Sequence, residues 1–266
     1  QTGPYRLTSG HDLNYISYAG ILGLTARKGQ TPTIPGVQIA DIGGGALYAA
    51  IGILIALMGV KQNGVGQYVD TSMLDGAVSW LPVLANDYFV KGVSPKAAEN
   101  ILNGQNACYE VYETADGRYI SIGAIEPHLW ANFCDAIGKE EFKLWQRDLT
   151  KQDEMFACLR EMFKSKTQAE WIEKLTGVDC CWAPVKNLEE VFADPQVLAR
   201  DMVYEMTDPA GCYGSVKMIG SAVKLSETPA RQELFPPRKG EHNAEYLKAV
   251  GYSDEQIAEF EKNGII

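Results

Sequence analysis

Residues Ile39 to Val60 read IADIGGGALYAAIGILIALMGV, and the rest of the chain is organised around them. One carboxylate, Asp41, precedes three glycines, Gly43 to Gly45, and the next fifteen residues, Ala46 to Val60, are all apolar or glycine. The pattern predicts a buried core helix whose first turn lies open to a ligand. Glycines remove side chains where the backbone amides of a helix N-terminus are unpaired, so an anion or a developing oxyanion can approach them. Asp41 stands at the mouth of that turn. The plainer structural alternative is a tight turn before a core helix, with Asp41 as its cap.

Composition bounds the possibilities. With 266 residues, 46% of them hydrophobic and 22% charged, the chain can bury a sizeable core in one large or two smaller domains. A net charge of −10 and the lack of a Lys/Arg cluster argue against a nucleic-acid or anionic-membrane surface. The apolar run Ala46–Val60 is shorter than the roughly 18 to 20 residues that span a bilayer and is interrupted by Gly52 and Gly59, so it reads as core. The six cysteines show no CxxC spacing and sit among apolar neighbours, which predicts reduced, mostly buried thiols. With only His11, His128 and His242, and no HxxxH or HExxH, no metal site is expected.

Outward from the centre, QTGPYRLTSGHDLNY lacks a charged-then-apolar leader pattern and reads like a loop entered from an upstream segment. It leads to His11 and a helical pattern through Ile16, Ala19, Leu22 and Leu24. TPTIPG then breaks the helix, and an extended VQIAD delivers Asp41. After the central helix a short strand is expected over Gln67–Thr71 and a second apolar helix from about Leu74 to Val90. Lys91 to Gln105 changes composition and reads as a boundary. Beyond it, Cys108–Glu113 and Tyr119–Ile125 form a hairpin signature around Asp116-Gly117, ended by Glu126 and Pro127. Helices are expected over His128–Ile137 and Glu154–Phe163, and another opens at the Thr167 cap with Glu170 at capping-box spacing. VDCCWAPV is strand-like, LEEVFADPQVLARD is a helix broken around Pro195, and Met202–Leu225 carries short strands. Glu227–Gly240 is loop-like, and two terminal helices follow, the second capped by Ser253.

Together GHDLNY, ADIGGGALYAAIGILIAL, GVGQYVDTSMLDGA, YETADGRYISIGAIEP, KTQAEW and GEH resemble the family III CoA-transferase superfamily, and within it the α-methylacyl-CoA racemase branch. The resemblance covers nearly the whole chain, and GHDLNY and GAIEP are its more specific signatures. It implies an α/β fold: a Rossmann-like large domain, here lacking its N-terminal part, and a smaller α+β domain. The expected boundaries are 1–104 for the large domain, 105–225 for the small domain, and 226–266 for a C-terminal segment returning to the large domain. The resemblance also implies an upstream segment, lost or supplied by another chain, and an interlocked homodimer.

By the same resemblance, His11 matches the racemase base, Asp41 its acidic partner and Glu126 the glutamate that supports the histidine. Ser9, Gly10, Asp12, Leu13, Asn14 and Tyr15 match the loop that contacts acyl-CoA, and Gly43 and Gly44 belong to the binding turn. Inverting a carbon beside a thioester needs a proton carrier on each face. Imidazole exchanges protons near neutral pH, whereas an aspartate acting as the acid must be held protonated, for which burial at the helix mouth is expected. Backbone amides near His11 or Gly43–Gly45 would hold the enolate.

The leading expectation is therefore an isomerase acting on 2-methylacyl-CoA thioesters, with coenzyme A as part of the substrate and no separate cofactor. The alternatives are a CoA-transferase with Asp41 as nucleophile, which needs neither His11 nor Glu126, and an inactive fragment or assembly subunit. Expected partners are the acyl-CoA and a second copy, without nucleic acid or membrane. The cytoplasm is the default location.

Overall fold

The computed structural model describes residues 2–230 and 234–266. Of the loop expected over Glu227–Gly240, positions 231–233 lie outside the described residues. The chain divides into two compact units, Gln1–Val185 and Lys186–Ile266. The fold is mixed α/β, and the five strands among the described residues all pair antiparallel.

The first unit opens with a short helix α1 (Asp12–Tyr18). A π-helical turn, Ile39–Ala46, runs into α2 (Leu47–Asn63). The helix thus begins two residues before Asp41, so the expected extended VQIAD gives way to a wide first turn that contains the carboxylate. The turn and α2 together make 25 continuous helical residues, longer than the apolar run alone and enough, by length and composition, to cross a membrane. The apolar run itself keeps its fifteen residues, and core helices of soluble proteins meet the same length and composition.

The expected burial of this helix is also corrected. No residue of α2 is buried, and Leu54, Ile55 and Met58 are each more than 60% exposed. Among the described residues α2 meets the chain from Val69 to Thr71, which crosses Gly52, and Tyr48 Oη near its start hydrogen-bonds Ser79 Oγ at 2.7 Å, while most of its apolar surface stays uncovered. That crossing segment is irregular rather than the expected strand, since it has no partner strand among the described residues. The second apolar helix is two helices, α3 (Met73–Val78) and α4 (Pro82–Lys91). Pro82 has no N–H to continue α3 and suits the first position of α4.

A small cluster holds this region together: Ile16 and Ala19 of α1, Ala40 of the π turn and Ala77 of α3 are buried against one another, with Tyr15, Ile39, Met73 and Leu74 around them.

The main core lies further along. Strands β1 (Tyr109–Glu113) and β2 (Tyr119–Gly123) form the expected hairpin, with Tyr109 opposite Gly123 and Glu113 opposite Tyr119. β3 (Trp182–Pro184) adds to β2, giving the order β1-β2-β3. Helices α5 (Pro127–Ile137), α6 (Phe142–Trp145), α7 (Gln152–Phe163) and α8 (Gln168–Leu175) contribute to the core that this sheet shares. Their apolar positions, three or four residues apart, supply Trp130, Phe133, Met155, Leu159, Phe163 and Trp171, each 1% exposed or less. Phe163 stacks on Tyr112 at 4.8 Å and tilts against Trp171 at 4.6 Å. The polar tips are satisfied: Trp130 Nε1 donates to the Phe142 carbonyl at 2.7 Å, and Tyr112 Oη to the Ala107 carbonyl at 2.6 Å. Thr167 caps α8 with Glu170 answering, as its spacing predicts.

Buried thiols Cys134 and Cys180 are pushed up to about 12 and about 11 by desolvation, and all six cysteines are free, Cys181 and Cys212 being exposed.

The second unit contains α9 (Leu188–Phe192) and α10 (Pro195–Ala199), broken before Pro195 as expected. A hairpin of β4 (Val203–Thr207) and β5 (Ser215–Ile219) follows, and then α11 (Asn243–Ala249) and α12 (Asp254–Lys262). Ser253 caps α12. Asp208 anchors the β4–β5 loop: its carboxylate accepts from the amides of Ala210, Cys212 and Tyr213 at 2.9 to 3.0 Å and faces Arg238 at 3.6 Å.

Candidate active site

His11 is the N-cap of α1, in extended backbone, and its amide donates to Asn14 Oδ1 at 3.1 Å. The sequence GHDLN forms this corner because Asn14 satisfies an amide that would otherwise be orphaned at the helix start. Gly10 lies directly under the Tyr15 ring, where a Cβ would come within 3.2 Å of it. Ser9 and Leu13 are exposed, and the Leu13 carbonyl accepts from Ser17 Oγ at 2.6 Å. The amides of Asp12 and Leu13 find no acceptor among the described residues.

Asp12 joins the two candidate carriers. Its Oδ1 accepts from Ala40 N at 2.6 Å and from Asp41 N at 3.1 Å, two first-turn donors of the π-helical segment that have no backbone acceptor of their own. A carboxylate at a helix N-terminus is favoured by both its hydrogen bonds and the helix dipole. The cap of the central helix is therefore Asp12, twenty-nine positions before Asp41, and not Asp41 itself. His11 and Asp41 consequently stand at the starts of two helices held together by the residue that adjoins one and bonds the backbone of the other.

One expectation about the turn is corrected. Asp41 is exposed rather than buried at the helix mouth. Gly43 and Gly44 are buried, and the side of the turn they form is closed by Trp80 and α3: a Cβ on Gly43 would lie 2.0 Å from the Trp80 ring. The missing side chains leave room for protein packing on that side. Spacing alone could not assign Trp80 to this position, since it lies 37 residues from Gly43, beyond α2 and α3.

Glu126 is exposed and is the N-cap of α5, ahead of Pro127 at the first helical position. A buried amide fixes its place: Gln146 Nε2 donates to the carbonyls of Ala124 and Ile125, both at 2.9 Å, and Arg147 Nη2 also reaches the Ile125 carbonyl at 3.1 Å. Among the described residues no hydrogen bond or ion pair joins Glu126 to His11 or Asp41.

A separate cleft of about 1,300 Å³, which the motifs did not reveal, opens in the first unit between residues 24–33 and the β1–β2–β3 sheet. Arg27, Lys28, Tyr109, Glu110, Arg160 and Trp182 line it, and His11, Asp41 and Glu126 do not. Arg27 crosses it to Glu110 at 3.7 Å and to the Val111 carbonyl at 3.2 Å.

With this geometry in hand, residues 1–243 match CoA-transferase family III. The chain belongs to that family. An acyl-CoA transferase of Fusarium pseudograminearum (strain CS3096) is 33% identical over all of this chain and 59% of its own length. An α-methylacyl-CoA racemase of Mus musculus is 32% identical over all of this chain and 69% of its own length. The chain thus spans roughly three fifths to two thirds of these relatives. A CaiB/BaiF family protein from Brucella suis has the same fold, with a TM-score of 0.76 and 27% identity over 94% of this chain and 65% of that one. Family III members of both chemistries lie at nearly equal identity, so membership establishes an enzyme family of racemases and CoA-transferases without choosing between them.

Proposed function

We propose that this family III chain carries part of the active site of an isomerase that interconverts the two configurations at the α-carbon of 2-methylacyl-CoA thioesters. The observation that carries the reading is the pairing of two different proton carriers, His11 and Asp41, at adjoining helix starts bridged by Asp12. A transferase nucleophile needs only the aspartate.

In the proposed reaction neutral His11 takes the α-proton and the electron pair moves onto the thioester oxygen. Protonated Asp41 then delivers a proton to the opposite face, and the reverse direction exchanges the roles. Asp41 is exposed in the chain by itself, so the bound thioester must cover it to favour its protonated form. The amides of Asp12 and Leu13 would hold the enolate oxygen, in place of the amides of Ala40 and Asp41, which Asp12 already occupies. Coenzyme A enters as part of the substrate, and no separate cofactor is called for.

Glu126 would orient the imidazole and stabilise its charged form. Because it makes no contact with His11 among the described residues, we place it in a site completed by a second copy of the chain in an interlocked homodimer. A Rossmann-like large domain built from 1–104, the C-terminal segment and an upstream segment belongs to the same proposal, as does a cytoplasmic location.

The test is α-proton exchange of a chiral 2-methylacyl-CoA in deuterated water, followed by NMR without an acceptor acid. Deuterium uptake with loss of chirality, abolished by His11→Ala, supports the racemase. A second reading is favoured by the likeness to the Fusarium acyl-CoA transferase: CoA transfer to an added carboxylic acid, with no exchange and with His11→Ala fully active, would make Asp41 a nucleophile.

A further inference from the structure

We propose that Asp12 is a positioning residue whose carboxylate sets the separation and orientation of His11 and Asp41; the inference rests on the racemase reading above. Three observations converge on it. First, one oxygen, Oδ1, accepts two backbone donors from a segment almost thirty residues away, at 2.6 and 3.1 Å. A carboxylate shared by two amides is a charge-assisted link, roughly twice as strong as a neutral one.

Second, the link lies at the reacting end of α1. The opposite anchor of that helix is apolar, with Ile16 and Ala19 buried against Ala40 and Ala77. Apolar packing resists separation of the two elements but leaves α1 free to rotate or slide by fractions of an ångström. A hydrogen bond to two successive amides removes that freedom, because both donors have a direction.

Third, no other hydrogen bond among the described residues ties the two carriers together at this point. The His11 amide is used within its own corner by Asn14, and the Ile42 amide within its own turn by the Gln38 carbonyl at 3.2 Å. Among the described residues, the hydrogen bonds that connect the His11 corner with the Asp41 turn run through Asp12. Two proton carriers acting on opposite faces of one carbon tolerate little error, and a misplacement of about 1 Å costs on the order of a hundredfold in rate.

Asp12→Ala and Asp12→Asn separate this role from a substrate contact or a charge effect. The alanine variant loses the acceptor, while asparagine keeps Oδ1 and loses the charge. We expect Asp12→Ala to lower kcat for α-proton exchange about a hundredfold with KM changed less than about threefold, and Asp12→Asn to recover most of that loss. In amide hydrogen exchange, protection at Ala40 and Asp41 should fall in Asp12→Ala and return in Asp12→Asn. Wild-type kcat in Asp12→Ala, an effect confined to KM, or an asparagine variant as impaired as alanine would each overturn the proposal. Should the unsubstituted protein show no α-proton exchange, the racemase reading falls, and amide protection decides the link by itself: its loss in Asp12→Ala supports it, and its retention overturns it.

Discussion

Gly44 and Gly76 meet backbone to backbone: a Cβ on Gly76 would stand 1.9 Å from the Gly44 carbonyl oxygen. The contact seats α3 on the turn that carries Asp41, so that the turn is shaped by a helix more than thirty residues further on.

The contact predicts unequal effects from two superficially similar changes. In Gly76→Ala the clash is with backbone, which cannot step aside, and overpacking should cost about 1 to 3 kcal/mol and displace the Asp41 turn. In Gly43→Ala the clash is with the outer edge of Trp80, a side chain still 48% exposed and able to swing away. Denaturant midpoints should fall clearly in the first variant and little in the second. Equal losses would mean that Trp80 is fixed.

The sheet core is centred on Phe163, fully buried between Tyr112 and Trp171. Phe163→Ala removes both ring contacts and leaves a cavity, and should destabilise the protein by about 3 to 5 kcal/mol in urea unfolding.

Helix α2 behaves differently in the chain as described. Its Leu54 and Met58 are 61% and 63% exposed, and apolar surface of this extent favours association. Leu54→Lys with Met58→Lys should raise the monomer fraction in sedimentation velocity and reduce binding of an apolar dye, at little cost in stability. An unchanged distribution would show that α2 takes no part in association.

Asp208 gives the second unit a pH dependence with a defined sign. Amide donors, Ala210 first, hold its carboxyl below the usual carboxylate range, with Arg238 adding to the effect. Folding therefore favours the charged form. The stabilisation is complete above the unfolded value of about 4 and is lost as pH falls through the lower folded value. Unfolding midpoints measured from about pH 6 down to about pH 2.5 should decline more steeply for the unsubstituted protein than for Asp208→Asn.

Much of this protein is legible locally. The hairpin around Asp116-Gly117, the Thr167–Glu170 capping box, the break at Pro195 and the Ser253 cap depend on residues within a few positions of one another, and each appears where the pattern places it. The break at Pro82 was equally local but was hidden inside an apolar run. Family membership was legible for another reason: GHDLNY and GAIEP are short contiguous motifs, readable without knowing what lies beside them in the fold.

The sequence by itself determined the β1–β2 hairpin, the local caps at Thr167 and Ser253, the mixed α/β class and the family, because turn chemistry, capping and motif identity are short-range properties. Only the tertiary structure decided that Asp12 caps the turn of Asp41, that Trp80 and Gly76 close its glycine side, and that α2 is exposed. Each of these depends on which distant surface arrives beside a given residue. An apolar helix looks the same in sequence whether its faces are covered or bare, and a carboxylate does not reveal which orphan amides it will meet.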